Sequence, residues 1–160
     1  MLVAVLVASL CLVPPVPGPI VEPVVEPACQ FCAGHRTVDI ALGPDRRVVA
    51  PVSGRVVFAG EVAGRRFVSI RSGEYTVTLG GFEVMTTAAG APVRSGDPIG
   101  WGTRGQPIAL SLRISAGGPD EHYLDPGRSL AHRVGRARLV PLDGTRPRPT
   151  STRLVCPAGR

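Results

Sequence analysis

The sequence predicts an all-β domain, a sheet or barrel of short strands, and three observations carry that expectation. Glycine (20) and proline (17) are frequent in a chain of 160 residues while aromatic residues make up only 4%, a mixture that suits short strands and many turns. Apolar and polar residues alternate over several short segments bounded by Ser-Gly or Pro-containing turns. Between those segments there is no convincing amphipathic helix. A chain of this length is by default one domain with a sizeable core. With 44% hydrophobic and 19% charged residues it is not disordered throughout.

Taken in order, Met1 to Val13 is an almost unbroken apolar run that stops at Pro14-Pro15. It is shorter than the roughly 20 residues of a membrane span, and proline ends a helix. Its length and position predict an export segment over residues 1–18 and a secreted or cell-envelope protein. Residues 19–30 continue a Pro-rich stretch that reads as an extended linker outside the core. The main domain is expected over residues 31–130. Its strands are Arg47–Val52, Arg55–Ala59, the alternating Arg66–Arg71, Tyr75–Leu79, a segment near Asp97 to Trp101, and Ile108–Ile114. Trp101 is expected in the core. A weak internal echo places Pro51-Val52 and Pro92-Val93 each just before a Ser-Gly turn. Residues 131–160 have no strand period and read as a basic, Pro-rich, mobile tail.

All 18 positive residues are arginine. The absence of lysine excludes a Schiff-base lysine, a lysine-dependent phosphate loop and a lipoyl or biotinyl carrier. The net charge of +6 is uneven: residues 1–127 carry ten Arg against eleven acids, a net −1, and residues 128–160 carry eight Arg and one acid, a net +7. With few aromatics for base stacking, this points to an anionic cell-envelope polymer rather than nucleic acid. After export, Cys29, Cys32 and Cys156 remain, which predicts one disulfide and one spare thiol, with three pairings open. Cys29 and Cys32, followed by His35 and Asp39, are also a possible zinc set.

The first chemically pointed segment is Gly34-His35-Arg36-Thr37-Val38-Asp39-Ile40-Ala41. A histidine and an aspartate four apart at a strand entrance can converge on one zinc ion. It runs into Val49-Ala50-Pro51-Val52-Ser53-Gly54-Arg55-Val56-Val57-Phe58-Ala59-Gly60. Then come Val93-Arg94-Ser95-Gly96-Asp97-Pro98-Ile99-Gly100 and Tyr123-Leu124-Asp125-Pro126. In that order these pieces resemble the lysostaphin/LytM-type zinc endopeptidases, peptidase family M twenty-three, in their compact secreted actinobacterial form. The resemblance implies a twisted antiparallel sheet, a duplicated-hybrid-motif-like β sandwich whose groove binds cell-wall peptide. It further implies a zinc held by His35, Asp39 and the second histidine of an H-x-H strand motif. Thr37 stands where the family has glycine. The H-x-H motif aligns with Ala109-Leu110-Ser111, so the third ligand position is Ser111 and an assisting position is Ala109. The other assisting histidine falls near Gly81.

A catalytic zinc needs three protein ligands and an open position for water. A serine hydroxyl is a poor zinc ligand beside imidazole, and alanine moves no proton. His122 and His132, the remaining histidines, read as surface residues. His35 and Asp39 are either a remnant zinc site or a structural pair in which Asp39 caps a turn or hydrogen-bonds His35. The expectation is a secreted LytM-like domain that does not hydrolyse, and that binds peptidoglycan or a partner cell-wall hydrolase. The alternative is an active zinc metalloendopeptidase cleaving peptidoglycan cross-links.

Overall fold

Alternation of apolar residues decides which side of each strand is buried, and the computed structural model, which describes residues 10–29, 32–114, 122–134 and 153–157, shows the consequence. The strands are β1 (Ile20–Glu22), β2 (Val38–Ile40), β3 (Arg47–Val49), β4 (Gly54–Val62), β5 (Arg65–Ser72), β6 (Tyr75–Met85) and β7 (Pro92–Val93). They continue with β8 (Pro98–Gly102), β9 (Ile108–Ile114), β10 (His122–Leu124), β11 (His132–Val134) and β12 (Arg153–Val155). One short 3-10 helix, Pro126–Arg128, follows β10. Ten strands form one antiparallel sheet along the path β1-β2-β9-β6-β5-β4-β7, with β10 on β9 and β3 joined through β8 to β6, while β11 and β12 make a separate ribbon. The fold is all-β, as the turn-bounded strands predict.

The registers stack the apolar residues in rows. Leu110 faces Val38 on β2 and Leu79 on β6, Leu79 faces Val68, and Ile70 faces Val77 and Val56. All of these are at most 1% exposed, so this face is the core. The residues between them occupy the other face: Asp39, Ala109, Gly80 and Phe67 in one row, Ser111, Thr78 and Ser69 in the next.

The internal echo becomes a contact. Val93 and Pro92 of β7 pair with Gly54 and Arg55 of β4. Ser95 N–H donates to Ser53 Oγ at 2.9 Å, and Gly96 N–H to the Ala50 carbonyl at 2.8 Å. The two Pro-Val-turn segments thus close on each other.

Four expectations are corrected. The proline-rich N-terminal stretch is not a free linker: Leu12 and Val16 are 0% and 2% exposed in the main core. Proline carbonyls serve as acceptors there, Pro15 from Val49 N–H and Pro19 from Ala41 N–H, both at 2.9 Å. Removal through residue 18 would therefore strip two core side chains. Second, the segment after residue 130 is structured where described. Ala131 is buried, Leu12 bridges Leu130, and β11 pairs with β12; the Arg-rich stretch 135–152 lies outside the described residues. Third, Cys11 pairs with Cys156 and Cys29 with Cys32, leaving no spare thiol. That pairing also removes Cys29 and Cys32 as thiolate ligands. Fourth, Trp101 is 41% exposed. Val48 faces Gly100 and Val49 faces Pro98, which leaves Ile99 as an extra residue and breaks the alternation before Trp101.

Candidate metal site and groove

His35 stands at the base of a loop. Val25 and His35 exchange backbone hydrogen bonds of 2.8 and 2.9 Å, and the Cys29–Cys32 disulfide closes the loop between them. Four residues on, Asp39 sits in the middle of β2 with Val38 and Ile40 sealed into the core on either side. The alternation that buries those two turns Asp39 to the opposite face. His35 Nε2 lies 3.4 Å from Asp39 Oδ1. Thr37, the residue standing in place of glycine, links them: its hydroxyl donates to Asp39 Oδ1 at 2.9 Å and lies 3.0 Å from His35 Nε2. The structure therefore brings His35 and Asp39 together.

Glu22 completes the cluster. It faces Asp39 across the β1–β2 register, and its Oε1 lies 3.8 Å from His35 Nδ1. Glu22, His35 and Asp39 each offer a ligand atom within 4.8 Å of the other two. This carboxylate escapes sequence reasoning because it lies in the Pro-rich stretch, and no local spacing ties it to His35. Only strand pairing does so.

On the β9 side of β2 the chemistry thins out. Ala109 faces Asp39 on one flank and Gly80 on the other. A Cβ on Gly80 would meet the Phe67 ring at 2.6 Å, so that ring fills the space a side chain would need. Gly81 has φ +101, and a Cβ there would sit 2.8 Å from the Pro107 carbonyl oxygen, so the position is held for glycine by its backbone. Ser111 faces Thr78, whose hydroxyl is 2.8 Å from that of Ser69. In the following row Arg113 and Arg71 flank Thr76, and Arg113 faces Tyr123. His122 pairs with Ile114, one step out of phase with Ala109 and Ser111, and His132 pairs with Val155 in the separate ribbon. Neither histidine lies in the rows that hold Ala109 and Ser111.

Whether a zinc fits depends on the donors. The resemblance implies an imidazole at position 111, where serine supplies a neutral hydroxyl. The Glu22 carboxylate, on the opposite flank of Asp39, is an ordinary zinc donor. The residues fit a divalent cation through Glu22, His35 and Asp39, on the β1 side of β2.

Comparison with known structures places this sheet. No family model and no curated protein matches the chain. Among solved structures it is similar to Csd3 of Helicobacter pylori, with 22% identity and a TM-score of 0.65 over 84% of this chain and 38% of that one. It is also similar to a point mutant of the catalytic domain of EnpA, a prophage-encoded protein of family M twenty-three from Enterococcus faecalis, with 19% identity and a TM-score of 0.54 over 69% of this chain and 90% of that one. The SpoIIQ–SpoIIIAH pore-forming complex matches with 14% identity and a TM-score of 0.61 over 77% of this chain and 92% of that one. The chain thus has the LytM-type fold, and it spans little more than a third of Csd3.

Proposed function

We propose that this is an exported LytM-like domain that does not cleave peptide bonds. In this reading its polar sheet face holds cell-wall peptide or a partner cell-wall hydrolase. One observation carries the reading: the neighbours of Asp39 across the sheet are Ala109 and Gly80, with Ser111 and Thr78 in the adjoining row. A methyl, a hydrogen and two hydroxyls stand where, in this reading, hydrolysis needs an imidazole as third ligand and a group that moves protons. What the face retains suits binding. The Ser69, Thr78 and Ser111 hydroxyls match peptide amides, and Arg71 and Arg113 offer charge-assisted hydrogen bonds to carboxylates. Two disulfides fit an oxidising compartment. The similarity to the SpoIIQ–SpoIIIAH complex supports a protein partner as occupant. Attraction of residues 128–160, net +7, to anionic envelope polymers adds to wall association.

The Glu22–His35–Asp39 cluster favours a second reading, an active metalloendopeptidase. Zinc, when bound, polarises the scissile carbonyl and activates water. The chain would hold it through those three side chains, yet Ala109 and Gly80 could neither orient that water nor pass a proton.

The deciding experiment incubates the protein with purified peptidoglycan, with and without added zinc, and follows released fragments by mass spectrometry alongside co-sedimentation. Retention without cleavage is expected. Chelator-sensitive cleavage abolished by His35→Ala overturns the proposal.

A further inference from the structure

We propose that Arg55 and Arg71 form a carboxylate subsite at the rim of the polar sheet face, taking the C-terminal carboxylate of a peptide that lies over the row of hydroxyls. The inference rests on the groove-binding reading and deepens it, naming which end of the peptide is held and by which side chains.

Strand register builds the subsite. Across five strands Tyr123 faces Arg113, Arg113 faces Thr76, Thr76 faces Arg71, and Arg71 faces Arg55. Arg36 extends the row, its guanidinium 5.4 Å from the centre of the Tyr123 ring. One step along the strands Leu112, Val77, Ile70 and Val56 are sealed into the core, so alternation puts the arginine row on the polar face. The row lies at the rim of that face, because the β5–β6 ladder ends one pair further on, at Ser72 and Tyr75.

The charges in this row are not compensated from within the sheet. Arg36, Thr76 and Arg113 have interactions of their own. Arg55 and Arg71 are exposed. Arg55 donates to the Gly90 carbonyl, a neutral acceptor, at 2.6 Å. Arg71 has no hydrogen-bond or ion-pair partner among the described residues. Residues directly opposite in an antiparallel pair have Cβ atoms about 4.5–5.5 Å apart, and like charges there destabilise the pair. The fold gains nothing from setting these two guanidinium groups face to face. A carboxylate bound between them turns the repulsion into two attractions, and guanidinium binds carboxylate through charge-assisted, often bidentate hydrogen bonds.

The neighbouring row selects a peptide as carrier of that carboxylate. Ser111, Thr78 and Ser69 lie two residues along their strands from Arg113, Thr76 and Arg71, a distance of about 7 Å. Two residues of an extended peptide cover the same length. A peptide with a backbone amide on the hydroxyls therefore sets its terminal carboxylate over Arg71, where the face ends.

The test titrates N-acetyl-trialanine, as the free acid and as the C-terminal amide, into the full-length, disulfide-intact protein labelled with nitrogen-15, and follows amide shifts by NMR. The free acid is expected to bind at least tenfold more tightly than the amide. Arg71→Gln should remove that difference while its ligand-free Tm equals or exceeds that of the wild type, since it relieves a like-charge pair. Arg65→Gln, an exposed arginine six residues away on the same strand, should leave the difference intact. The subsite is overturned by absence of saturable binding of the acid, by acid and amide binding alike, or by a preference for the acid that Arg71→Gln does not reduce. Inorganic phosphate that displaces the acid at equal or lower concentration also overturns it, and assigns the arginines to a phosphate ester instead. Failure of the groove reading is seen separately, as loss of wild-type retention on peptidoglycan; intact retention with no preference for the acid defeats the subsite alone.

Discussion

On one face of β9, Ile108, Leu110 and Leu112 are at most 1% exposed; on the other, Ala109 is 9% exposed and Ser111 and Arg113 are half-buried. Both sets share one backbone and the same flanking strands, β2 and β10 on one edge and β6 on the other. The first set is constrained by volume, since an interior at crystal-like density registers the loss of a methylene. The second is constrained by chemistry, which a fold does not require. A strand can therefore keep its packing face intact while the opposite face carries alanine and serine, neither of which ligates zinc as an imidazole does. Period-two alternation separates the two requirements.

The comparison can be tested by changing each face in turn. The largest effect is expected on the packed side: Leu110→Ala should cost about 2–5 kcal/mol of stability, measured by chemical denaturation. A cost near zero would mean that this row is not the core. Next comes the covalent tie between the two ends of the chain. Cys156→Ser opens a bridge spanning 145 residues and should cost about 2–4 kcal/mol, seen as a lower Tm than wild type under oxidising conditions, a difference that disappears once both proteins are reduced. A loss well below 1 kcal/mol would show that the N-terminal segment docks without it.

On the polar side the costs should be smaller and the chemical gains larger. The double change Ala109→His and Ser111→His adds volume at a nearly buried site and should cost about 1–3 kcal/mol, while zinc affinity rises at least tenfold by isothermal titration. If affinity is unchanged, the strand does not occupy the metal-bearing position that its alignment implies. Smallest of all, Thr78→Val removes the hydrogen bond to Ser69 and should cost about 1 kcal/mol, yet it should weaken retention on peptidoglycan. Unaltered retention would move the binding surface off this face. The basic segment is best probed by replacing Arg136, Arg138, Arg146 and Arg148 with serine, because truncation after Gly127 would also remove the buried Ala131 and Cys156. Wall association that weakens with salt in the wild type and is lower in the variant is the expected result.

Local pattern was enough for the central strands. Ile108–Ile114 and Tyr75–Leu79 announce themselves because alternation is a property of neighbouring residues, and both lie in the middle of the sheet. His35 and Asp39 were legible for the same reason, being four residues apart. The N-terminal stretch was not. Pro14 to Pro27 has no strand period and lacks many amide donors, so it reads as linker, yet its carbonyls accept hydrogen bonds from Val49 and Ala41 and its Val16 side chain fills the core. The apolar run before it matches an export segment in length and position, so nothing local marks Leu12 and Cys11 as parts of the fold.

The sequence by itself determined the all-β class, the packed face of the sheet, the His35–Asp39 pair and the alanine and serine that alternate with the packed residues of β9, because each follows from residues a few positions apart. Only the tertiary structure decided that Glu22 joins that pair, that Cys11 meets Cys156, and that the two Pro-Val turns close on each other. Those contacts join segments 13 to 145 residues apart along the chain, and backbone pairing of β1 with β2 and of β4 with β7, which leaves no trace in local periodicity, is what brings Glu22 to Asp39 and one Pro-Val turn to the other.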